Sequence, residues 1–201
     1  MTTNLATPSE LLSPSLIEDF QNHPEYIIRK IVLNTKHIKD KLGLDPSDAA
    51  VLAAGIEVFR PDSAEKPALL QHLRRWDRRK PEIVFGEGFR PWSEPQEEKD
   101  YDLYRHMMFG GSIFVSTFRS DQGDEDIRFD YEDGILYDIY AYGGIDLNIA
   151  LGEENDFPDQ REISFPGGIQ RQFIKGASLF IFDNGTRVFS KYVENPDWKK
   201  V

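Results

Sequence analysis

Beyond residue 67 the chain breaks into short apolar runs, at 69–73, 113–115, 135–142, 145–151, 162–165, 177–182 and 186–192, each parted from the next by Gly, Asp or Asn. Runs of that length fall short of an ordinary helix and suit strands whose backbone groups are paired by their neighbours. Between the last two, Asp183-Asn184-Gly185 supplies residues that tolerate positive φ, as a two-residue hairpin turn requires. The larger part of the molecule is therefore expected to be an antiparallel β domain over residues 65–201.

The first sixty residues have a different texture. Ser13 before Pro14 is a good helix entry, because serine caps free N–H groups and proline fits the first helical position; a short helix to about His23 follows. From Pro24, the apolar residues Ile27, Ile28, Ile31, Ile38 and Leu42 recur at roughly helical spacing, with Gly43 as the stop. Asp45-Pro46 opens a third helix through Ala49, Ala50, Val51 and Ala54. The expected fold class is thus α+β, with a helical N-terminal extension over residues 1–64 and the sheet after it. Residues 121–126 read as an acidic solvent loop.

Composition removes several chemistries. With no cysteine among 201 residues, disulfides, thiolate zinc sites and a thiol nucleophile are all excluded. His23, His37 and His72 show no metal-ligand spacing, so no metal is expected. Gly110-Gly111, Gly143-Gly144 and Gly167-Gly168 make no Gly-x-Gly-x-x-Gly fingerprint, which argues against a Rossmann domain and for bends in a twisted sheet. A net charge of −11 disfavours broad attraction to a polyanion. Residues 1–10 lack the basic and apolar pattern of a secretory signal, and no apolar run is long enough to span a membrane; export would need a removed leader or a specialised apparatus.

Three ordered signals carry the chemistry. Arg75-x-Asp77-x-Arg79-x-Pro81 is followed by Val84-Phe85, Gly88-Phe89 and Trp92; Ser116-Thr117-Phe118 stands behind one apolar run; Gln160-x-Glu162 stands ahead of another. Taken singly each is bland: the basic cluster is a solvated surface, Ser-Thr is ordinary strand chemistry, and Gln-x-Glu is a strand edge. Val58-Phe59-Arg60-Pro61-Asp62 imitates the first signal, but no second arginine or Phe-x-x-Gly-Phe follows it, so Arg75 is the preferred candidate. In order, the three resemble the mono-ADP-ribosyltransferase toxins of the cholera and pertussis type. Phe157-x-x-Gln160-x-Glu162, leading into Phe165-Pro166-Gly167-Gly168-Ile169, is similar to the pierisin and scabin branch, which carries Gln-x-Glu. The likeness covers residues 69–182 and departs at Phe118, where many members have a second serine.

The resemblance implies a split antiparallel β-sandwich with NAD as co-substrate, bound between sheets, and no metal. Arg75 would anchor the diphosphate through paired, charge-assisted hydrogen bonds, Arg79 would be a second phosphate contact, and Asp77 would belong to the same cofactor-binding group. Glu162 would stabilise the oxocarbenium-like ribose and hold its 2′-hydroxyl. Ser116 would fix that carboxylate, Thr117 would support the strand pair, and His106 would contact the ribose unless it is an ordinary helix-surface histidine. Gln160, two residues before Glu162 on an extended segment, would share its side and orient the nucleophile, with Phe157 on the preceding turn contacting the target. Gln-x-Glu implies an acceptor other than arginine. Net charge favours a target-cell protein side chain, with guanine in DNA or a nucleotide, water, or noncatalytic partner binding as alternatives. No membrane partner is expected, and the site of action is a target-cell cytoplasm or the chain's own.

Overall fold

The computed structural model describes residues 27–31, 56–59, 70–91, 103–110, 112–120, 134–142 and 144–198. Two short strands come first, β1 (Ile27–Ile31) and β2 (Ile56–Phe59), paired antiparallel with Ile28 opposite Val58 and Ile31 opposite Ile56. β1 overturns the helix expected over Ile27, Ile28 and Ile31. β-branched side chains lose rotamer freedom in a helix and fit a pleated surface, so a strand partner decides between the two conformations. The other expected helices, at 14–23, 32–42 and 46–54, lie outside the described residues, as do Trp92 and the acidic stretch 121–126.

Seven strands build the main sheet: β3 (Gln71–Asp77), β4 (Phe114–Arg119), β5 (Ile135–Ala141), β6 (Ile145–Asp146), β7 (Glu162–Pro166), β8 (Ile174–Asp183) and β9 (Thr186–Glu194). Their spatial order is β6-β7-β4-β3-β5-β8-β9, and every pairing is antiparallel. The hairpin between β8 and β9 turns on Asn184 (φ 51°) and Gly185 (φ 80°), as the sequence predicts. Among the described residues three helices accompany the sheet: α1 (Pro81–Glu87), α2 (Leu103–Phe109) and α3 (Leu147–Leu151).

One pairing is incomplete. β3 and β5 are matched along all of β3, from Gln71 opposite Ala141 to Asp77 opposite Ile135, whereas β3 and β4 pair only at Leu73 with Arg119 and Arg74 with Phe118. Beyond those two pairs the ladder parts. The expected split sandwich thus appears as one hydrogen-bonded sheet with an opening between β3 and β4. That opening is where Arg75 and Ser116 face each other.

Residues 145–151, expected as a strand, make two strand residues and then α3. Asp146 ends the strand because its Oδ1 accepts from the backbone N–H groups of Asn148 (3.0 Å) and Ile149 (3.3 Å), a helix cap that outweighs the β-leaning composition. The neighbouring α1 begins on Pro81, whose missing N–H costs nothing at a helix start.

On one sheet face Leu73, Tyr137, Ile139, Ile163, Phe165 and Ile174 are buried together, with Val84 and Phe85 of α1 packed in the same core. Tyr137 donates its hydroxyl to the Arg79 carbonyl at 2.5 Å and meets Phe85 and Phe89 edge-on, at 6.3 and 5.1 Å between ring centres. Burial raises its phenol above the ordinary tyrosine value, and the nearby Asp77 charge adds to this, so the hydroxyl stays a donor.

Phe89 is held by two close backbone approaches. Its N–H and C=O exchange hydrogen bonds with Ile169 at 2.8 and 2.7 Å. Gly168 sits at φ +112°, where an added Cβ would come to 2.1 Å from the Phe89 carbonyl oxygen; at Gly88, φ +76°, it would come to 2.3 Å from the Ile169 oxygen. Gly168→Ala is therefore expected to cost about 2 kcal/mol or more, from left-handed strain plus a clash with backbone that cannot rotate away. A thermal melt should show a fall of roughly 4 °C or more, and an unchanged midpoint would show that the loop has room to shift.

Candidate active site

The first arginine signal folds into a closed arrangement. Along β3, Leu73, Arg75 and Asp77 alternate onto one face; Leu73 enters the core, and Asp77 is buried beside it with 3% exposure. A carboxylate at that depth needs partners, and it has two. Asp77 accepts from Arg75 Nε at 3.0 Å on Oδ2, and from Arg79 Nε (2.8 Å, Oδ1), Arg79 Nη2 (2.7 Å, Oδ2) and the Arg79 backbone N–H (3.0 Å, Oδ1). Burial alone would raise the Asp77 carboxyl, but the hydrogen bonds of Arg79 and the charge of Arg75 outweigh it and hold it below the ordinary value. Both guanidinium groups also lie over the Phe89 ring, at 5.3 and 5.1 Å.

Asp77, expected among the cofactor-binding residues, lies between the two arginines and holds both of them. Its oxygens are occupied, so it acts on a ligand through the cations it aligns. Arg79 is spent mainly on Asp77 and also reaches the Arg90 carbonyl at 3.4 Å. It stands behind the cleft wall and not in it. Arg75 does line the cleft: its Nη1 donates to the Ser116 carbonyl at 2.6 Å, where the ladder between β3 and β4 has parted. Burial draws this guanidinium below its ordinary value while Asp77 opposes the shift. A guanidinium nevertheless remains a cation at working pH.

On the far side of the opening, β4 and β7 pair Ser116 with Ser164 and Phe118 with Glu162. Thr117 turns its hydroxyl onto the Ile163 carbonyl at 2.6 Å, fastening the two strands, as expected of it. Glu162 accepts from Ser164 Oγ at 2.5 Å on Oε1, and His106 Nε2 lies 3.2 Å from the same oxygen. Burial pushes the Glu162 carboxyl up; the hydrogen bonds of His106, Ser164 and Ser116 together hold it below the ordinary value. Arg75, Trp76, Ser116, Thr117, Phe118, Gln160 and Glu162 surround about 510 Å³ of open space. Five of the expected site residues, Arg75, Ser116, Thr117, Gln160 and Glu162, thus converge on one cleft that holds both a cation and an ionised carboxylate.

His106 lies on α2 with 7% exposure. The helix-surface reading is thereby excluded: the imidazole meets Ser116 Oγ (2.9 Å) and Glu162 Oε1 (3.2 Å) beside the cleft.

Gln160 does line the cleft, yet not by strand alternation. It sits in a 3-10 turn, Pro158–Gln160, followed by Arg161 at φ 45°, so the extended spacing to Glu162 does not exist. Phe157 precedes this turn and is 42% exposed. What holds the turn is a pair of asparagines that sequence reading passed over. Asn155 is buried, donates to Asn148 Oδ1 at 2.5 Å and accepts from the Phe157 N–H at 2.9 Å; Asn148 donates to the Pro158 carbonyl at 2.9 Å. Among the described residues, no group of three or more His, Asp or Glu side chains is arranged to hold a metal ion.

Comparison with known proteins agrees with this geometry. The family model described as Scabin-like matches residues 73–198. The chain is 38% identical to a pierisin of Pieris brassicae over 115 residues, 53% of this chain and 14% of that protein. It is 34% identical over 129 residues to a guanine-specific ADP-ribosyl transferase of Streptomyces coelicolor, 63% of this chain and 60% of that protein. Among solved structures, the Scabin toxin of Streptomyces scabies in complex with NADH superposes with a TM-score of 0.54 at 31% identity, covering 68% of this chain and 79% of that one. A guanine-specific ADP-ribosyltransferase with NADH and GDP gives 0.54 at 33% identity, covering 67% and 81%. With the Arg75, Ser116 and Gln160-x-Glu162 elements assembled on this sheet, the chain belongs to the Scabin-like family, within the pierisin and scabin branch of the ADP-ribosyltransferases.

Proposed function

We propose that the chain cleaves NAD and transfers its ADP-ribose to the exocyclic amino group of a guanine base. The observation that carries the reading is that Arg75, Glu162 and Gln160 line one cleft. The donor set fits NAD. A guanidinium pre-aligned by a buried carboxylate suits a diphosphate, and an ionised carboxylate suits a ribose on which positive charge develops. The bond from ribose C1′ to the nicotinamide nitrogen breaks with its electron pair going to nicotinamide. The guanine amino nitrogen then bonds to C1′ and releases a proton to solvent. Gln160 carries both an amide donor and a carbonyl acceptor, so it can orient a neutral base without adding charge.

The guanine acceptor replaces the protein side chain that net charge favoured. Relatives of this chain are described as guanine-specific, and one was solved with NADH and GDP. The charge argument weakens for a physical reason: −11 is a property of the whole chain, whereas an acceptor that is a nucleotide brings only a few phosphates to one cleft. The proposed setting is that of a toxin acting in a target cell.

The test is incubation of the purified chain with NAD labelled in the adenylate moiety, offered duplex DNA, single-stranded DNA, GDP or a cell lysate in parallel. Label on guanine of any of the first three, absent with Glu162→Gln, is the expected result. Label confined to lysate proteins would overturn the acceptor, and nicotinamide release with no labelled acceptor would make the chain an NAD glycohydrolase.

A further inference from the structure

Behind the cleft wall, His106, Ser112 and Ser164 are buried, at 7%, 3% and 0% exposure, and do not line the open space. Their hydrogen bonds run in one direction, toward Glu162. We infer that Ser112 fixes His106 as the neutral Nε2–H tautomer, making His106 a positioning residue that pins one oxygen of the Glu162 carboxylate. The role of Glu162 rests on the proposed function; the tautomer does not.

Ser112 stands three residues past the end of α2, which closes with the Gly110 N–H on the His106 carbonyl at 2.8 Å. Ser112 Oγ accepts from the Phe114 N–H at 3.2 Å and lies 2.6 Å from His106 Nδ1. The hydroxyl keeps one proton and one further lone pair, so it can donate to Nδ1 or accept from it, and the surroundings of the other ring nitrogen decide which. An imidazole that accepts at Nδ1 carries its own proton on Nε2. Nε2 lies between two acceptors, 2.9 Å from Ser116 Oγ and 3.2 Å from Glu162 Oε1. The other tautomer would set a nitrogen lone pair against a carboxylate oxygen and repel it. The ring is packed at 5.3 Å from Phe114, which limits its rotation.

The effect on the carboxylate is directional. Ser164 Oγ and His106 Nε2 both act on Oε1. With Oε1 held by these two, the carboxylate is turned so that its other oxygen can meet a ribose hydroxyl in the cleft. A ring whose tautomer is set by its second nitrogen is a recurring way to orient a reacting group, and losing such a support typically costs about 10–100-fold.

The test uses the full chain labelled with ¹⁵N at histidine. Long-range ¹H–¹⁵N correlation at neutral pH should show His106 as the Nε2–H form, and Ser112→Ala should shift it toward a mixture, with His23, His37 and His72 unchanged as internal references. In turnover, Ser112→Ala should lower kcat roughly 10-fold with KM for NAD within about twofold, and Ser112→Thr, which keeps the hydroxyl, should restore most of it. Should Ser112→Ala fail to fold, His106→Gln, whose amide nitrogen reaches where Nε2 stood, should retain at least about tenfold more activity than His106→Ala. An Nδ1–H or doubly protonated His106 in the wild type, or a Ser112→Ala spectrum unaltered at His106, would overturn the inference. A wild type with the expected tautomer but no NAD turnover would sink the proposed function alone.

Discussion

Glu162→Gln is expected to reduce NAD cleavage by on the order of 10²–10³-fold while NAD affinity changes little and the melting temperature holds. Glutamine keeps the length and one carbonyl acceptor for Ser164 and His106, so the strand pairing between β4 and β7 survives. What it lacks is the negative charge opposite a developing cation. The loss falls on the transition state, where that charge develops, so kcat should carry it and KM should not. Isothermal titration with NAD and single-turnover kinetics separate the two; an equal loss of binding would mean that Glu162 holds the ground state.

The same residue sets the acid limb of activity. Burial would raise the Glu162 carboxyl, but His106, Ser164 and Ser116 lower it past the ordinary glutamate value of 4.5, and Arg75 in the same cleft adds its positive field. The ionised form is the working form. Activity should therefore persist below pH 4.5 and fall only as pH drops through the depressed value. The stability that comes with the shift has the same sign: present above pH 4.5, lost on acidification. A Glu162-dependent limb above pH 5 would show that desolvation wins.

How far the sequence reached follows from which interactions are local. The turn at Asn184-Gly185 and the strands other than β6 were legible because alternation and positive-φ residues act over a few positions. The Arg75, Ser116 and Glu162 set was legible as an ordered resemblance. The role of Asp77 was not, since a carboxylate two residues from each of two arginines reads equally well as a ligand contact until its burial is known. His106 was undecidable for the same reason: Ser112, its partner at Nδ1, is six residues away and looks like any strand-entry serine. Gln160 came to the right place for the wrong reason, because a left-handed Arg161 is invisible to period-two spacing. The helix expected over Ile27, Ile28 and Ile31 failed outright, where three isoleucines met a partner strand about thirty residues on.

Asp77→Ala should be the most damaging change to the fold outside the hydrophobic core, at about 3–5 kcal/mol. Its side chain is 1% exposed and receives side-chain hydrogen bonds from Arg75 and Arg79. Removing it leaves two guanidinium groups facing each other over Phe89 with their common counter-charge gone, in a place where water replaces little of it. Set against a typical net stability of about 5–15 kcal/mol, that is a large fraction, and the thermal midpoint should drop by roughly 10 °C. Asp77→Asn, which keeps an acceptor but not the charge, should fall between the two proteins. The pH dependence has a definite sign. Because Asp77 is held below its ordinary value of 3.8, its contribution is complete above that pH and disappears as pH falls through the lower folded value; the gap between wild type and variant should close in acid. Function moves with it, since Arg75 loses the partner that fixes its Nε and turns Nη1 toward Ser116, and KM for NAD should rise roughly tenfold or more. A melting shift under 2 °C with KM unchanged would mean that Phe89 and the Ser116 carbonyl suffice to align the cations, and that the carboxylate beneath them is incidental.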